Sequence, residues 1–149
     1  MTQSATLAAV PRRPSVVLRV AGAWLALEAV LFGLAFAWVA FYSYAIDPGH
    51  EAAFYQDYAQ RVSPLVAVII SAPVFGAFGV LAARRGGRPG ARFALTTTIV
   101  FLVLDLTVLV LVPERPAGIW PIWITAAALK FSAVVLGGRH GARAAGARA

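Results

Sequence analysis

The sequence contains no cysteine and few charged residues. Of its 149 residues, 13% are charged and 60% are hydrophobic. Without cysteine the chain has no disulfide, no thiolate metal ligand and no redox-active thiol. An ordinary soluble domain carries roughly 25% charged residues, and a disordered chain is poor in apolar ones, so the composition excludes both classes. It predicts an integral membrane protein.

The apolar residues form four segments, each long enough to cross the roughly 30 Å of hydrocarbon in a bilayer. These predicted spans are residues 16–45, 62–83, 93–112 and 119–137. Turns rich in Gly, Pro and charge, at residues 84–90 and 113–116, separate the last three, because Gly and Pro interrupt helices. We predict an all-α integral membrane fold, a bundle of four transmembrane helices over residues 16–137. Mobile tails are expected at residues 1–15 and 138–149.

Arginine is concentrated at three places: the N-terminal flank, the turn after span two and the C-terminal tail. These arginines are Arg12, Arg13, Arg19, Arg84, Arg85, Arg88, Arg92, Arg139, Arg143 and Arg148. Short basic loops stay on the cytoplasmic side, so both termini are predicted inside, as an even number of spans also requires. We predict a multi-pass protein of the bacterial inner (cytoplasmic) membrane. Its arginines would contact anionic lipid headgroups rather than nucleic acid, because no nucleic-acid-binding motif accompanies them.

The loop between spans one and two is acidic and aromatic. Asp47, Pro48 and Gly49 form a turn and helix-start signal, and aromatic residues follow at helical spacing from Phe54 to Tyr58. This pattern predicts a short amphipathic helix on the outer face of the membrane.

Four polar side chains of this loop form a candidate external site: Asp47, His50, Glu51 and Asp57. A metal site needs three or four ligands in defined geometry, and one histidine with irregularly spaced acids does not provide it. We therefore predict no metal ion there. A solvated loop is the favoured interpretation, and a gate or a docking point for a partner is the alternative.

Three ionisable residues fall inside the predicted spans: Glu28, Asp105 and Lys130. A charge within the bilayer is costly, so such residues face inward and usually have partners. Counted from the nearest cytoplasmic arginine at about 1.5 Å per residue, Glu28 and Lys130 lie about 13 Å deep and Asp105 about 20 Å deep. A lysine side chain can span that difference. The small residues on the same face as Lys130 indicate that it points towards a neighbouring helix.

This buried charge cluster has three interpretations. It is a polar knot that fixes helix pairing, a proton- or ion-coupled site, or the acid–base centre of a membrane-embedded enzyme acting on a lipid or isoprenoid. We favour a non-enzymatic, transport-type or accessory membrane protein and keep the enzyme as the alternative. No catalytic residue is assigned, and no cofactor is predicted, because the spans lack the paired histidines that a haem would need.

One face of the first span carries only small residues. They are Gly22, Ala26, Ala29, Gly33 and Ala37. Small residues allow membrane helices to approach closely, so this seam predicts packing against another span or a homo-oligomer contact.

The outer loop carries a resemblance to other proteins. Residues 42–44 read Tyr-Ser-Tyr, residues 46–50 read Ile-Asp-Pro-Gly-His, and residues 54–59 read Phe-Tyr-Gln-Asp-Tyr-Ala. This stretch and the span layout resemble uncharacterised small bacterial inner-membrane proteins with four spans. The resemblance implies that architecture and carries no activity, cofactor or site residue with it.

Overall fold

The computed structural model describes residues 15–111 and 118–147 of the chain. These residues form helix α1 (Val16–Phe41), a π-helical turn (Tyr42–Ile46), helix α2 (Ala52–Leu111) and helix α3 (Ile119–Gly146). Three helices, counting α1 together with the π-helical turn, are long and apolar enough to cross a membrane. The prediction of an all-α chain with membrane-spanning helices is confirmed at that level.

Helix α1 begins at a side-chain cap. The hydroxyl of Ser15 accepts a hydrogen bond from the backbone N–H of Leu18 at 3.3 Å, which satisfies one of the free donors of the first turn. Ser15 therefore belongs to the helix start rather than to the predicted tail. The remainder of that tail, residues 1–14, lies outside the described residues.

Helix α2 doubles back on itself at Gly87. Gly87 has φ 57° and ψ −139°, outside the helical region. Phe75 and Phe101 would lie about 39 Å apart along a straight helix, yet their ring centroids are 5.1 Å apart. Residues 52–86 (the first arm) and residues 88–111 (the second arm) therefore lie side by side. Where the sequence predicted two separate helices, the turn is so tight that helical structure resumes directly after one non-helical residue.

Gly87 should be intolerant of substitution. We expect Gly87→Ala to lower the free energy of unfolding by about 1–3 kcal/mol, because residues other than glycine are strained in this backbone region. Gly86→Ala is the matched control, since an added Cβ there meets nothing within 4 Å and the backbone φ is ordinary. Chemical unfolding in detergent, followed by helix circular dichroism, measures both. Equal effects of the two substitutions would contradict this account of the turn.

Two predicted boundaries change in the structure. The short external helix that was predicted to follow Asp47, Pro48 and Gly49 is not a separate element. Residues 52–61 are the first turns of α2, which continues through Pro64 and Pro73 without leaving helical geometry. The predicted tail from residue 138 is corrected as well, because α3 continues to Gly146 and buries Gly138 and Gly141. Because glycine has no side chain, α3 can pack directly on α2 at these positions, and this packing stabilises the helix there. The predicted turn at residues 113–116 lies outside the described residues.

Helices α2 and α3 touch backbone to backbone. A Cβ added at Gly137 would lie 2.2 Å from the carbonyl oxygen of Gly76, and one added at Gly79 would lie 2.6 Å from that of Val134. Helix α1 packs through side chains instead, with Leu27 against Phe75 and Phe101. The bundle thus combines a tight α2–α3 pair with a more loosely attached α1.

Candidate functional site

Lys130 and Asp105 form a buried ion pair. The Lys130 Nζ donates to Asp105 Oδ2 at 2.9 Å, and the two side chains are 9% and 35% exposed. The lysine comes from α3 and the aspartate from the second arm of α2, so the pair joins the two elements. Lys130 Nζ also lies 4.6 Å from the centroid of the Phe101 ring, a cation–π distance. The ion pair and the Phe101 ring together stabilise the charge of Lys130, the one lysine of the chain, among apolar side chains.

Glu28 stands close to this pair without joining it. It lies within electrostatic range of Asp105 and Lys130. Among the residues that the structure describes, however, it forms no hydrogen bond and no ion pair within 4.0 Å. The structure therefore brings the three predicted residues together unequally. Asp105 forms the bonded pair with the lysine, and Glu28 interacts with Lys130 only at longer range.

A cavity of about 770 Å³ connects these groups to the outer loop. Glu28, Asp105 and Lys130 all line it, and Tyr55 and Gln56 line it near the start of α2. Most of the remaining wall is apolar, contributed by α1, both arms of α2 and α3. This volume is in the range of small-molecule binding sites, which are mostly apolar with a few polar groups. Counting residue depth from the sequence predicted the positions of the three charges in the membrane, but it could not predict the cavity between them.

The cavity wall also holds an unused hydrogen-bond donor. The indole Nε1 of Trp123 is buried and has no hydrogen-bond partner among the described residues. A buried donor without a partner costs about 1–3 kcal/mol relative to a satisfied one. Trp123 lies on the cavity lining, as does Glu28. The sequence analysis did not single out Trp123, because whether an indole N–H has a partner depends on how the helices pack.

Aromatic side chains join α1 to α2 beside the outer end of the cavity. The rings of Tyr42 and Tyr58 stack with centroids 3.8 Å apart, and Trp38 Nε1 donates to the Tyr58 hydroxyl at 3.2 Å. The Tyr55 hydroxyl donates to the backbone carbonyl of Asp47 at 2.7 Å. The outer loop is thus held by specific contacts, and one of its anchors, Tyr55, also lines the cavity.

The four candidate residues of the outer loop do not form one group. Asp47 Oδ1 lies 3.0 Å from His50 Nε2, whereas Asp57 pairs with Arg61 one helical turn away. The Glu51 side chain joins neither pair, and only its backbone carbonyl accepts a bond, from the N–H of Phe54. Within residues 15–111 and 118–147, no three His, Asp or Glu side chains converge as a metal site would require. The loop chemistry is therefore that of two separate, exposed pairs.

The predicted seam of α1 faces away from the other helices. Gly22, Ala26, Ala29, Gly33 and Ala37 are all exposed, and an added Cβ at either glycine would meet nothing within 4 Å. The seam therefore does not pack against α2 or α3. A homo-oligomer contact at this face stays a prediction.

Comparison with known proteins adds no family to these observations. No protein-family model, no curated protein and no solved structure matches the chain.

Proposed function

We propose that the chain crosses a bacterial inner membrane four times, with both termini on the cytoplasmic side. Each arm of α2 exceeds the roughly 20 residues that a crossing needs, so the hairpin at Gly87 supports counting the arms as two spans. The basic residues around Gly87 and at the end of α3 lie at one end of the bundle, and the acidic outer loop lies at the other. That separation of charge supports the proposed orientation.

We propose further that the protein is of the transport type and that its cavity binds a largely apolar ligand carrying a positive charge. The observation that carries this proposal is that a single cavity contacts all three intramembrane charges and extends to the outer loop. Lys130 is already neutralised by Asp105. Glu28 is therefore the group that a cationic ligand would contact. Its carboxylate would take up a proton when the ligand leaves and release that proton when the next ligand binds.

Specific observations also favour each of the other two roles. The bonded Asp105–Lys130 pair fits an accessory protein in which the charges only hold helices together. Phe32 and Phe36 line the cavity although they are 78% and 72% exposed, so the cavity also opens sideways between helices. Such an opening fits a membrane-embedded enzyme that takes a lipid or isoprenoid from the bilayer. The experiment has to separate all three.

Binding of tetraphenylphosphonium, an apolar monovalent cation, tests the proposal. We expect the protein in lipid nanodiscs to bind it, and Glu28→Gln to weaken binding roughly 30-fold. That factor corresponds to about 2 kcal/mol, the attraction of unit charges roughly 8 Å apart at an effective dielectric constant of about 20. Asp57→Asn is the matched control, because it removes a carboxylate that is already paired outside the cavity. Equilibrium dialysis with radiolabelled cation measures the affinity.

The outcomes distinguish the roles. Uptake of the cation into proteoliposomes that follows an imposed pH gradient and is lost in Glu28→Gln supports transport. A fatty acid serves as an apolar ligand of opposite charge. If neither the cation nor the fatty acid binds, the ligand site is refuted and the accessory role remains. Tighter binding of the fatty acid would contradict the proposed ligand charge. Chemical change of a lipid extract by the parent protein, but not by Glu28→Gln, would assign the cavity to an enzyme instead.

A further inference from the structure

A second cavity, of about 460 Å³, lies at the basic end of the bundle between the second arm of α2 and α3. Four arginines line it, two from each element: Arg88, Arg92, Arg139 and Arg143. We call this space the arginine groove. Residues four apart lie on the same face of a helix, so each element presents its two guanidinium groups together.

The arginine groove holds four positive charges. Among residues 15–111 and 118–147, no acidic side chain lines it. None of its four arginines forms an ion pair with any other described residue. Like charges four residues apart repel each other on a helix, and here two such pairs face one space. The groove therefore has the charge of an anion site, and none of the described residues supplies the anion.

The other end of the groove is apolar. Leu95 lies about one helical turn beyond Arg92, and Val135 about one turn before Arg139, both towards the middle of the helices. Between the rims the helices nearly touch, since an added Cβ at Gly138 would lie 3.4 Å from that of Ala91. A shallow floor of small residues thus leads from the guanidinium groups to the apolar end. An inorganic anion would use only the first part of this shape.

We propose that the arginine groove is a specific binding site for an anionic phospholipid of the inner leaflet. Guanidinium groups bind phosphate oxygens through paired, charge-assisted hydrogen bonds, and the two helices offer two pairs of them. One acyl chain would lie along Leu95 and Val135. Basic pockets between transmembrane helices on the cytoplasmic side recognise lipid headgroups in this way. The site is separate from the outer cavity and does not depend on the ligand proposed for that cavity, but its place in the inner leaflet rests on the orientation proposed above.

Binding of a fluorescent phosphatidylglycerol to the delipidated full-length protein in neutral detergent tests the proposal. We expect Arg88→Gln/Arg139→Gln to weaken binding roughly 20- to 30-fold, at about fivefold for each arginine removed near a headgroup. Arg84→Gln/Arg85→Gln is the matched control, because it removes the same charge from the same end of the bundle but outside the groove. The control should change the affinity less than about threefold. Phosphatidylcholine with identical chains should bind more weakly to the parent protein.

Further measurements test whether the groove is specific for an anionic lipid. Equal losses in the two double variants would show diffuse attraction to the basic end and would overturn a specific site. Equal stabilisation against heat by millimolar inorganic phosphate would overturn the lipid as ligand, as would equal binding of phosphatidylcholine. If the glutamine variant does not fold, Arg88→Lys/Arg139→Lys keeps the charge and loses the paired geometry. It should still weaken binding several-fold, and unchanged affinity would overturn the proposed phosphate contacts.

Discussion

Replacing Lys130 with methionine should destabilise the protein by about 2–4 kcal/mol, the largest effect that we expect from one polar side chain. Removing one member of a buried ion pair leaves the other charge without compensation, at a cost of about 3–5 kcal/mol when both groups are fully buried. Asp105 faces the cavity and is 35% exposed, so the expected loss is about 1 kcal/mol smaller than for a fully buried pair. The contact of Lys130 with the Phe101 ring is lost as well.

The double variant Lys130→Met/Asp105→Asn separates the pair from simple packing. It removes both charges, so much of the lost stability should return, and the double-mutant cycle gives the coupling energy. Arg61→Met with Asp57→Asn is the control cycle, because that pair is exposed and four residues apart on one helix. It should show little coupling. Chemical unfolding in detergent measures all variants. A Lys130→Met protein as stable as the parent, or no recovery in the double variant, would contradict the structural role of the pair.

The Gly137→Val substitution should separate α3 from α2. Even the Cβ of alanine would lie 2.2 Å from the Gly76 carbonyl oxygen, and a backbone atom cannot move aside as a flexible side chain can. Overpacking of this kind costs about 1–3 kcal/mol and occasionally more. We expect the upper end of that range for valine, together with a lower yield of monodisperse protein in size-exclusion chromatography.

Gly76→Ala is the matched control for this interface. Its added Cβ would lie 3.8 Å from the nearest atom of α3, an ordinary van der Waals contact. It should leave the thermal midpoint, followed by tryptophan fluorescence, nearly unchanged. Equal losses from Gly76→Ala and Gly137→Ala would show that α2 and α3 do not touch where the structure places them.

Counting residue depth from the sequence brought Lys130 within reach of both intramembrane acids. The small residues near it in sequence also predicted that it faces a neighbouring helix, and Ala126, Val134 and Gly137 are buried beside it. The sequence could not tell which acid takes the lysine. That choice depends on the rotation of each helix about its own axis and on their crossing angles, to which depth and periodicity are insensitive.

Two features that depend on how α2 and α3 meet were not predicted. The arginines near Gly87 and at the end of α3 were interpreted as separate topology signals, although the spacing of Arg88 from Arg92 and of Arg139 from Arg143 already indicated paired charges. Their convergence on one groove depends on how the second arm of α2 meets α3. Gly138 and Gly141 were likewise assigned to a tail, because the value of a glycine at a helix contact is visible only once its neighbour is known.

The unequal attachment of the helices determines which wall of the outer cavity can yield. Backbone contacts at Gly79 and Gly137 set a fixed distance between α2 and α3, since no rotamer change can alter it. Helix α1 is attached through side chains such as Leu27 and Trp38, which can repack. A change in cavity volume is therefore taken up by α1. Glu28 belongs to this adjustable wall, whereas Lys130 belongs to α3 and holds Asp105 through the ion pair. Expansion of the cavity would therefore carry Glu28 away from the ion pair.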